Sequence, residues 1–418
     1  MLSQLSNIFR ITELRQKIAF TLVMFLVFRL GTHIPVPGVN AAVIEQLFTS
    51  GNLFGLLDLF SGGALSKFSI FAMSITPYIN ASIIMQLLTV VVPKFEQWAK
   101  EGDEGRKKIT QITRYGTVGL GFIQAIGMAF GLKAAIINPG IGSILLVALT
   151  LTAGTTFLMW LGEQITEKGI GNGISLIIFA GIVSSLPSGL YTMYEYVSAG
   201  TINIFNVFLF LIIALAMIVF VIAIQQGQRR IPVQYAKRVV GRKMYGGHST
   251  HIPLKVNQAG VIPIIFASSV LMFPVTIAQF IEVPWVKTVA GWFAWGTPVQ
   301  TVLYALLIVF FTYFYTAVTM NISDMAENMK KHGGFIPGIR PGKPTADYLD
   351  RVMTRITLAG SIFLAIIAIL PNFVGAVTNV QGVYFGGTAL LIVVGVALDT
   401  MKQIEALVLM RHYQGFMK

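Results

Sequence analysis

Ten apolar runs divide this chain, near residues 17 to 36, 69 to 92, 112 to 131, 143 to 162, 173 to 190, 203 to 224, 257 to 280, 299 to 321, 356 to 374 and 383 to 400. Each approaches the roughly 20 mostly apolar residues that a helix needs to cross a bilayer. A helix is the expected form, because it pairs its own backbone amides where hydrocarbon offers no water. The polar positions between the runs sort by charge. One side receives Arg10, Arg15 and Lys17, then Lys94, Lys100, Arg106, Lys107, Lys108 and Arg114, then Lys168. The later loops of that side carry Arg229, Arg230, Lys237, Arg238, Arg242, Lys243 and Lys255, then Lys330, Lys331, Arg340, Lys343, Arg351 and Arg355, and finally Lys402, Arg411 and Lys418. The other side receives Lys67, Lys133 and Lys287. Short cytoplasmic loops retain Lys and Arg, so this alternation supports the count of ten and places both termini in the cytoplasm. An all-α polytopic membrane protein with ten transmembrane helices is predicted.

Composition agrees. A soluble chain of 418 residues would usually form two or three domains, but 55% apolar and 11% charged residues describe one body that lipid solvates. The net charge of +13 therefore belongs to one face. In the loop at 93 to 111, Glu96, Glu101, Asp103 and Glu104 dilute that charge, which suits a topology signal beside anionic lipid. The loops at 225 to 255 and 322 to 355 are longer than simple connectors and carry Pro, Gly and clustered Arg or Lys. They are read as docking surfaces for acidic protein or RNA phosphate.

Candidate chemistry narrows the function. The chain contains no cysteine, which excludes disulfides and thiol-based metal or redox sites. Its histidines, His33, His248, His251, His332 and His412, form no HExxH array. Arg10, Glu13, Arg15 and Lys17 precede the first run and no small-residue cleavage site ends it, so that span is expected to stay. Coupled transporters keep an ionisable group near the midplane. Here Arg29 lies toward the outer end of the first span, where it can snorkel, and Glu163, Glu167 and Asp399 sit at cytoplasmic ends. No GxSxG, P-loop or paired intramembrane aspartates are present, and the run Gly169 to Gly173 is predicted to be a tight turn, not a phosphate cradle. No enzyme activity and no cofactor are expected. Conduction or scaffolding remains.

The segment 54 to 68 is apolar enough to leave water but too short and polar to span. The residues alone favour an interfacial helix, while Gly62 and Gly63 leave a re-entrant course open.

Seven stretches carry a resemblance. They are Leu59 to Ser66, Pro77 to Ile84, Trp160 to Glu167 with the following glycine turn, Gly227 to Arg230, Pro253 to Asn257, Phe335 to Gly342, and Tyr384 to Thr388. In this order the chain resembles the SecY family, the pore subunits of the bacterial protein-translocation channel, least so at 187 to 203 and 275 to 298. The resemblance implies two inverted halves of five helices around a central pore, residues 1 to 195 and 196 to 418. It reverses the preference at 54 to 68, which becomes a plug re-entering from outside, with Leu57, Phe60, Ser61, Gly62, Gly63 and Leu65 as plug residues. It implies a constriction ring of Ile75, Ile79, Ile174, Ile178, Ile265 and Ile392, and a lateral gate between the second and seventh spans with polar positions Gln86 and Asn257. It further implies docking through Arg229, Arg230, Lys237, Arg238, Arg242, Lys243 and Arg340 to the ATPase SecA or to the ribosome. SecE and SecG are the implied membrane companions, signal peptides, secretory preproteins and membrane lipid the implied clients, and the bacterial plasma membrane the implied location. A secondary transporter and an insertion scaffold without an aqueous path are the alternative classes.

Overall fold

A computed structural model describes residues 11–40, 43–44, 58, 61–235, 238–240, 243–245, 249–278, 283–293, 297–378 and 387–415. Its helices are α1 (Thr12–Gly31), α2 (Thr76–Val91), α3 (Pro93–Lys100), α4 (Asp103–Gly131), α5 (Ile141–Lys168), α6 (Gly173–Ser198) and α7 (Ile204–Gln226). They continue as α8 (Ile262–Ala278), α9 (Pro284–Trp292), α10 (Pro298–Thr319), α11 (Ile322–Lys331), α12 (Lys343–Thr378) and α13 (Gly387–Gly415). Every expected span carries a helix: α1, α2, α4 to α8, α10, α12 and α13. Among the described residues five stretches are long and apolar enough to cross a bilayer alone, and α2 with α3 makes a sixth. The ten-span reading is compatible with this.

The ends of these helices follow from local chemistry. Asn172, Asn203, Thr297 and Asn321 cap α6, α7, α10 and α11, each side-chain oxygen accepting a backbone N–H that the first turn leaves free. Pro93 excludes the helical conformation at Val92, which is extended at φ −102°, ψ 115°. The chain bends there by 99°. The loop expected at 93 to 111 is thus helical, formed by α3 and the first turns of α4. Four intramembrane hydroxyls are satisfied within their own helices: Thr117, Thr152, Thr312 and Thr316 each donate to the carbonyl four residues earlier, while Thr155 Oγ1 is buried without a partner.

Helix α7 exposes Phe205, Phe208, Leu211, Leu215 and Val219, a surface that water would penalise and lipid tails accept. Inside, one apolar cluster joins α7, α8, α10, α12 and α13 through Val221, Ile264, Tyr304, Ile308, Leu364 and Leu391. A second, through Val36, Leu65, Phe68, Ala125, Ile136, Val147 and Leu151, binds the chain after α1 to α4 and α5.

The two long basic loops do not stay separate. Strands β1 (Gln228–Tyr235) and β4 (Ser249–Lys255) pair antiparallel, and β1 also pairs with β5 (Gly334–Phe335) from the other loop. The sheet order is β4-β1-β5, while β2 (Arg238–Val240) and β3 (Lys243–Tyr245) form a hairpin. Ile231 and Val233 alternate inward along β1 and join Leu254, Met329, Ile336 and Leu349 in a small core of their own. Two predicted docking loops are therefore one platform with its own hydrophobic foundation.

Candidate pore and plug

The six isoleucines singled out from sequence come from four helices and one helix cap, yet they meet. Ile75 caps α2, Ile79 lies on α2, Ile174 and Ile178 on α6, Ile265 on α8 and Ile392 on α13. Ile75, Ile178 and Ile392 are buried in one cluster with Phe28, Phe71, Leu158 and Ile177, and Ile79, Ile174 and Ile265 pack against it. Ala64, from the expected plug, is buried in the same cluster. A set of branched apolar side chains at one point offers water and ions no partner.

Residues 62–75, directly ahead of α2, form successive turns, and residues 54–57 and 59–60 of the segment expected at 54 to 68 lie outside the described residues. Ser61, Ala64, Leu65, Phe68, Ser69 and Phe71 are all buried. The bends are forced: Phe68 at φ 43° and Ser74 at φ 51° sit in the left-handed region, each costing about 1 to 3 kcal/mol. Surrounding bonds hold them. Asp58 Oδ1 accepts from the Leu65 N–H at 3.0 Å and the Ser66 N–H at 2.8 Å, and its backbone carbonyl accepts from Gly63 N–H and Ser61 Oγ. Val36 N–H donates to the Phe68 carbonyl and Ile70 N–H to the Ile34 carbonyl, so the segment after α1 pairs with the end of the turns.

The fit to the neighbouring helices is close. A methyl at Gly154 of α5 would collide with the Ile70 carbonyl, and one at Gly31 with the Phe71 ring. Gly62, at φ +68°, lies where a Cβ would stand 3.0 Å from Gly181 Cα and 2.9 Å from Ser184 Oγ of α6. Arg29 of α1 donates from Nη1 to the Gly62 carbonyl at 2.9 Å. Gly63 is half-buried, and Leu57 and Phe60 lie outside the described residues. Sequence reasoning passed over Asp58 and read Arg29 only as a cation able to snorkel at the outer end of the first span. The one available signal was that Asp58 is the single acidic residue in the segment 54 to 68.

Between the second and seventh expected spans, Ile83 of α2 shares an apolar cluster with Ile264, Ala267 and Leu271 of α8, and Ile79 and Leu87 pack against it. Gln86 of α2 is half-buried. Asn257, buried ahead of α8, donates from Nδ2 to the Gly260 carbonyl at 3.0 Å, while its Oδ1 has no partner. Gln225 Nε2 and Gln258 Oε1 are likewise buried without partners.

The glycine-rich run is a turn between α5 and α6 whose amides are already committed. Ile170 N–H donates to Thr21 Oγ1, Gly171 N–H to Gln403 Oε1, Gly173 N–H to Thr166 Oγ1, and Ile174 and Ser175 N–H to Asn172 Oδ1. A phosphate would find no free cradle among them. Nearby, Arg114 of α4 and Glu163 of α5 pair at 2.7 Å. On the basic platform Arg229 and Arg230 are exposed on β1, Arg238 lies in β2 and Lys243 in β3. Lys237 and Arg242 lie outside the described residues. Arg340 is exposed on a loop shaped by Gly338 and Gly342 at positive φ, and Thr345 Oγ1 donates to its carbonyl.

Comparison with known proteins matches this arrangement. A model of the SecY family fits residues 69–401. The protein translocase subunit SecY of Halalkalibacterium halodurans is 55% identical over 433 residues, covering 100% of each chain. That of Escherichia coli K12 is 47% identical, covering 97% of this chain and 94% of that protein. The solved structure of a protein conducting channel superposes with a TM-score of 0.67 at 19% identity, covering 94% of this chain and 92% of that one. Sec61 in the canine ribosome-channel complex from the endoplasmic reticulum gives 0.64 at 18% identity, with 94% and 92% covered. With a family match across most of its length and relatives of about this identity over all of it, the chain belongs to the SecY family.

Proposed function

We propose that this chain is the protein-conducting subunit of a translocase, passing unfolded secretory polypeptides across the bacterial plasma membrane and membrane segments sideways into it. It is a conduit and not an enzyme. The observation that carries the reading is the convergence of Ile75, Ile79, Ile174, Ile178, Ile265 and Ile392 in one apolar cluster, with Ala64 of the turn-rich segment packed among them. An apolar ring of this kind closes around any sequence without binding it strongly. The residues 54 to 68 act as the plug beneath it, and residues 1 to 195 and 196 to 418 form the two halves of the clamshell. Both termini face the cytoplasm, on the side of the basic loops.

Signal peptides and lipid meet the pore through the seam between α2 and α8. The apolar packing of Ile79, Ile83 and Leu87 there supports a joint that can part, because contacts of this kind are non-directional. Asn257 and Gln86 border it. Energy comes from a partner, and the glycine turn, whose amides are spent on internal bonds, is no phosphate cradle. The exposed Arg229, Arg230 and Arg340 support docking of an acidic or phosphate-bearing surface, consistent with SecA or the ribosome. A relative in this fold, the idle yeast Ssh1 complex, has been seen bound to the yeast 80S ribosome. SecE and SecG complete the assembly.

Ion current tests the pore. The chain lacking residues 57 to 66, inserted in planar bilayers with its companion subunits, is expected to conduct steadily. Silence from correctly inserted protein would overturn the channel reading and favour a scaffold.

A further inference from the structure

Arg29 has no role in the ring, the gate or the docking platform, yet its head group is not simply turned to water. A long cation at the end of a span would ordinarily snorkel outward. Instead Nη1 donates inward to the Gly62 carbonyl at 2.9 Å and approaches Ser184 Oγ at 3.4 Å. Ser184 Oγ itself donates to the Gly181 carbonyl at 2.8 Å, which leaves its lone pairs free to accept from the guanidinium. The base of Arg29 is fixed as well. Thr32 Oγ1 donates to its carbonyl at 2.7 Å, and His33 Nδ1 lies 3.0 Å from the same oxygen. Three separate elements thus meet at one cation: the end of α1, the tip of the turn-rich segment and the middle of α6.

The geometry at Gly62 makes the contact releasable. The glycine backbone lies against Gly181 with no side chain between them, so at this one contact little interdigitation resists withdrawal. What resists is directional: a charge-assisted hydrogen bond to a carbonyl that the turn presents outward. A carbonyl also lets the bond form without a second charge to desolvate, and water can replace the guanidinium when the segment leaves.

We propose that Arg29 is the positioning residue of the plug, a latch whose guanidinium holds the Gly62 turn against α6 and so sets how readily the channel opens. This rests on the plug reading above. Loss of a hydrogen bond from a charged donor should raise the open fraction roughly tenfold.

The absence of native cysteine makes a clean test possible. Ser61, buried in the turn, is replaced by cysteine in the full chain with its companion subunits in vesicles, and its labelling by a membrane-impermeant thiol reagent from the outer side is followed. Arg29→Met should speed labelling about tenfold, Arg29→Lys should restore part of the protection, and Ser184→Ala should have a smaller effect. Ion conductance in planar bilayers gives the second readout. Arg29→Met should raise resting current in the full chain and add nothing in the variant lacking residues 57 to 66. If the deletion conducts but Arg29→Met leaves both labelling and current at their parent levels, the latch is wrong and the plug stands. If Arg29→Met raises current equally with and without the plug, the residue acts elsewhere and the latch is also wrong. If the deletion itself is silent, the plug reading fails first.

Discussion

The isoleucine cluster proposed as the constriction and the turns proposed as the plug adjoin through Ala64, and the second adds a chemistry that the first does not show. In the first, six isoleucines from four helices and one helix cap share an apolar cluster. In the turns leading to α2 the apolar burial of Ala64, Leu65, Phe68 and Phe71 is joined by directional contacts: the Asp58 carboxylate on two amides, the Arg29 guanidinium on a carbonyl, and backbone pairing to residues 34 and 36. Dispersion and hydrophobic contact are non-directional and survive exchange of one apolar shape for another. Hydrogen bonds are lost all at once when a partner goes, and the stranded group keeps its desolvation penalty. A seal that must fit any passing chain suits the first chemistry. A stopper that must sit in one place and then leave suits the second.

Substitutions can separate the two. The largest effect is expected at Gly62→Val, where a β-branched side chain must adopt φ +68° and occupy space held by Gly181 and Ser184. The backbone term alone costs about 1 to 2 kcal/mol before the clash is counted. Resting ion current should approach that of the plug deletion. Asp58→Ala comes next: it strands the Ser66 amide and leaves the Leu65 amide only the Ser61 hydroxyl, at about 1 to 3 kcal/mol. Thiol labelling at position 61 should rise steeply, with Asp58→Asn intermediate because its amide oxygen still accepts.

Arg340→Glu probes drive instead of closure. Export powered by the proposed partner ATPase should fall about tenfold, on the scale of one charge-assisted hydrogen bond lost, while resting current stays at the parent level. A rise in current would blur the division between platform and pore. Asn257→Leu should alter how readily weak signal sequences are accepted; it removes one hydrogen bond to the Gly260 carbonyl together with a buried oxygen that has no partner, so the two changes in stability partly offset. The smallest effect belongs to Ile178→Val, about 0.5 to 1.5 kcal/mol of packing and almost no added leak. A large leak there would show that the ring depends on exact shape, which the comparison denies.

The spans were legible because each needs a long apolar run and because loop charge checks the count independently. Helix α7, with hardly a polar residue between Asn206 and Gln225, could be nothing else. The glycine turn was legible too, since Asn172 and Gly171 at φ +83° are the residues a tight cap demands. The basic sheet was not. Pro232 and Pro253 read as strand breakers, and β5 is only two residues long, so the periodicity of Ile231 and Val233 had too little length to register. The bonds of the plug were hidden for a different reason. Arg29 and Gly62 stand 33 residues apart, Arg29 and Ser184 155 apart, and nothing local in either neighbourhood requires the other. Isoleucine is equally uninformative, since one facing a pore and one facing lipid look alike in sequence. Only the fold brings six of them to one point, and only the resemblance to a known family named them beforehand.

Ion current through the chain lacking residues 57 to 66 tests the central claim most directly. With companion subunits present and insertion verified, the account predicts steady conductance against a silent parent channel. Equal silence from both would contradict it.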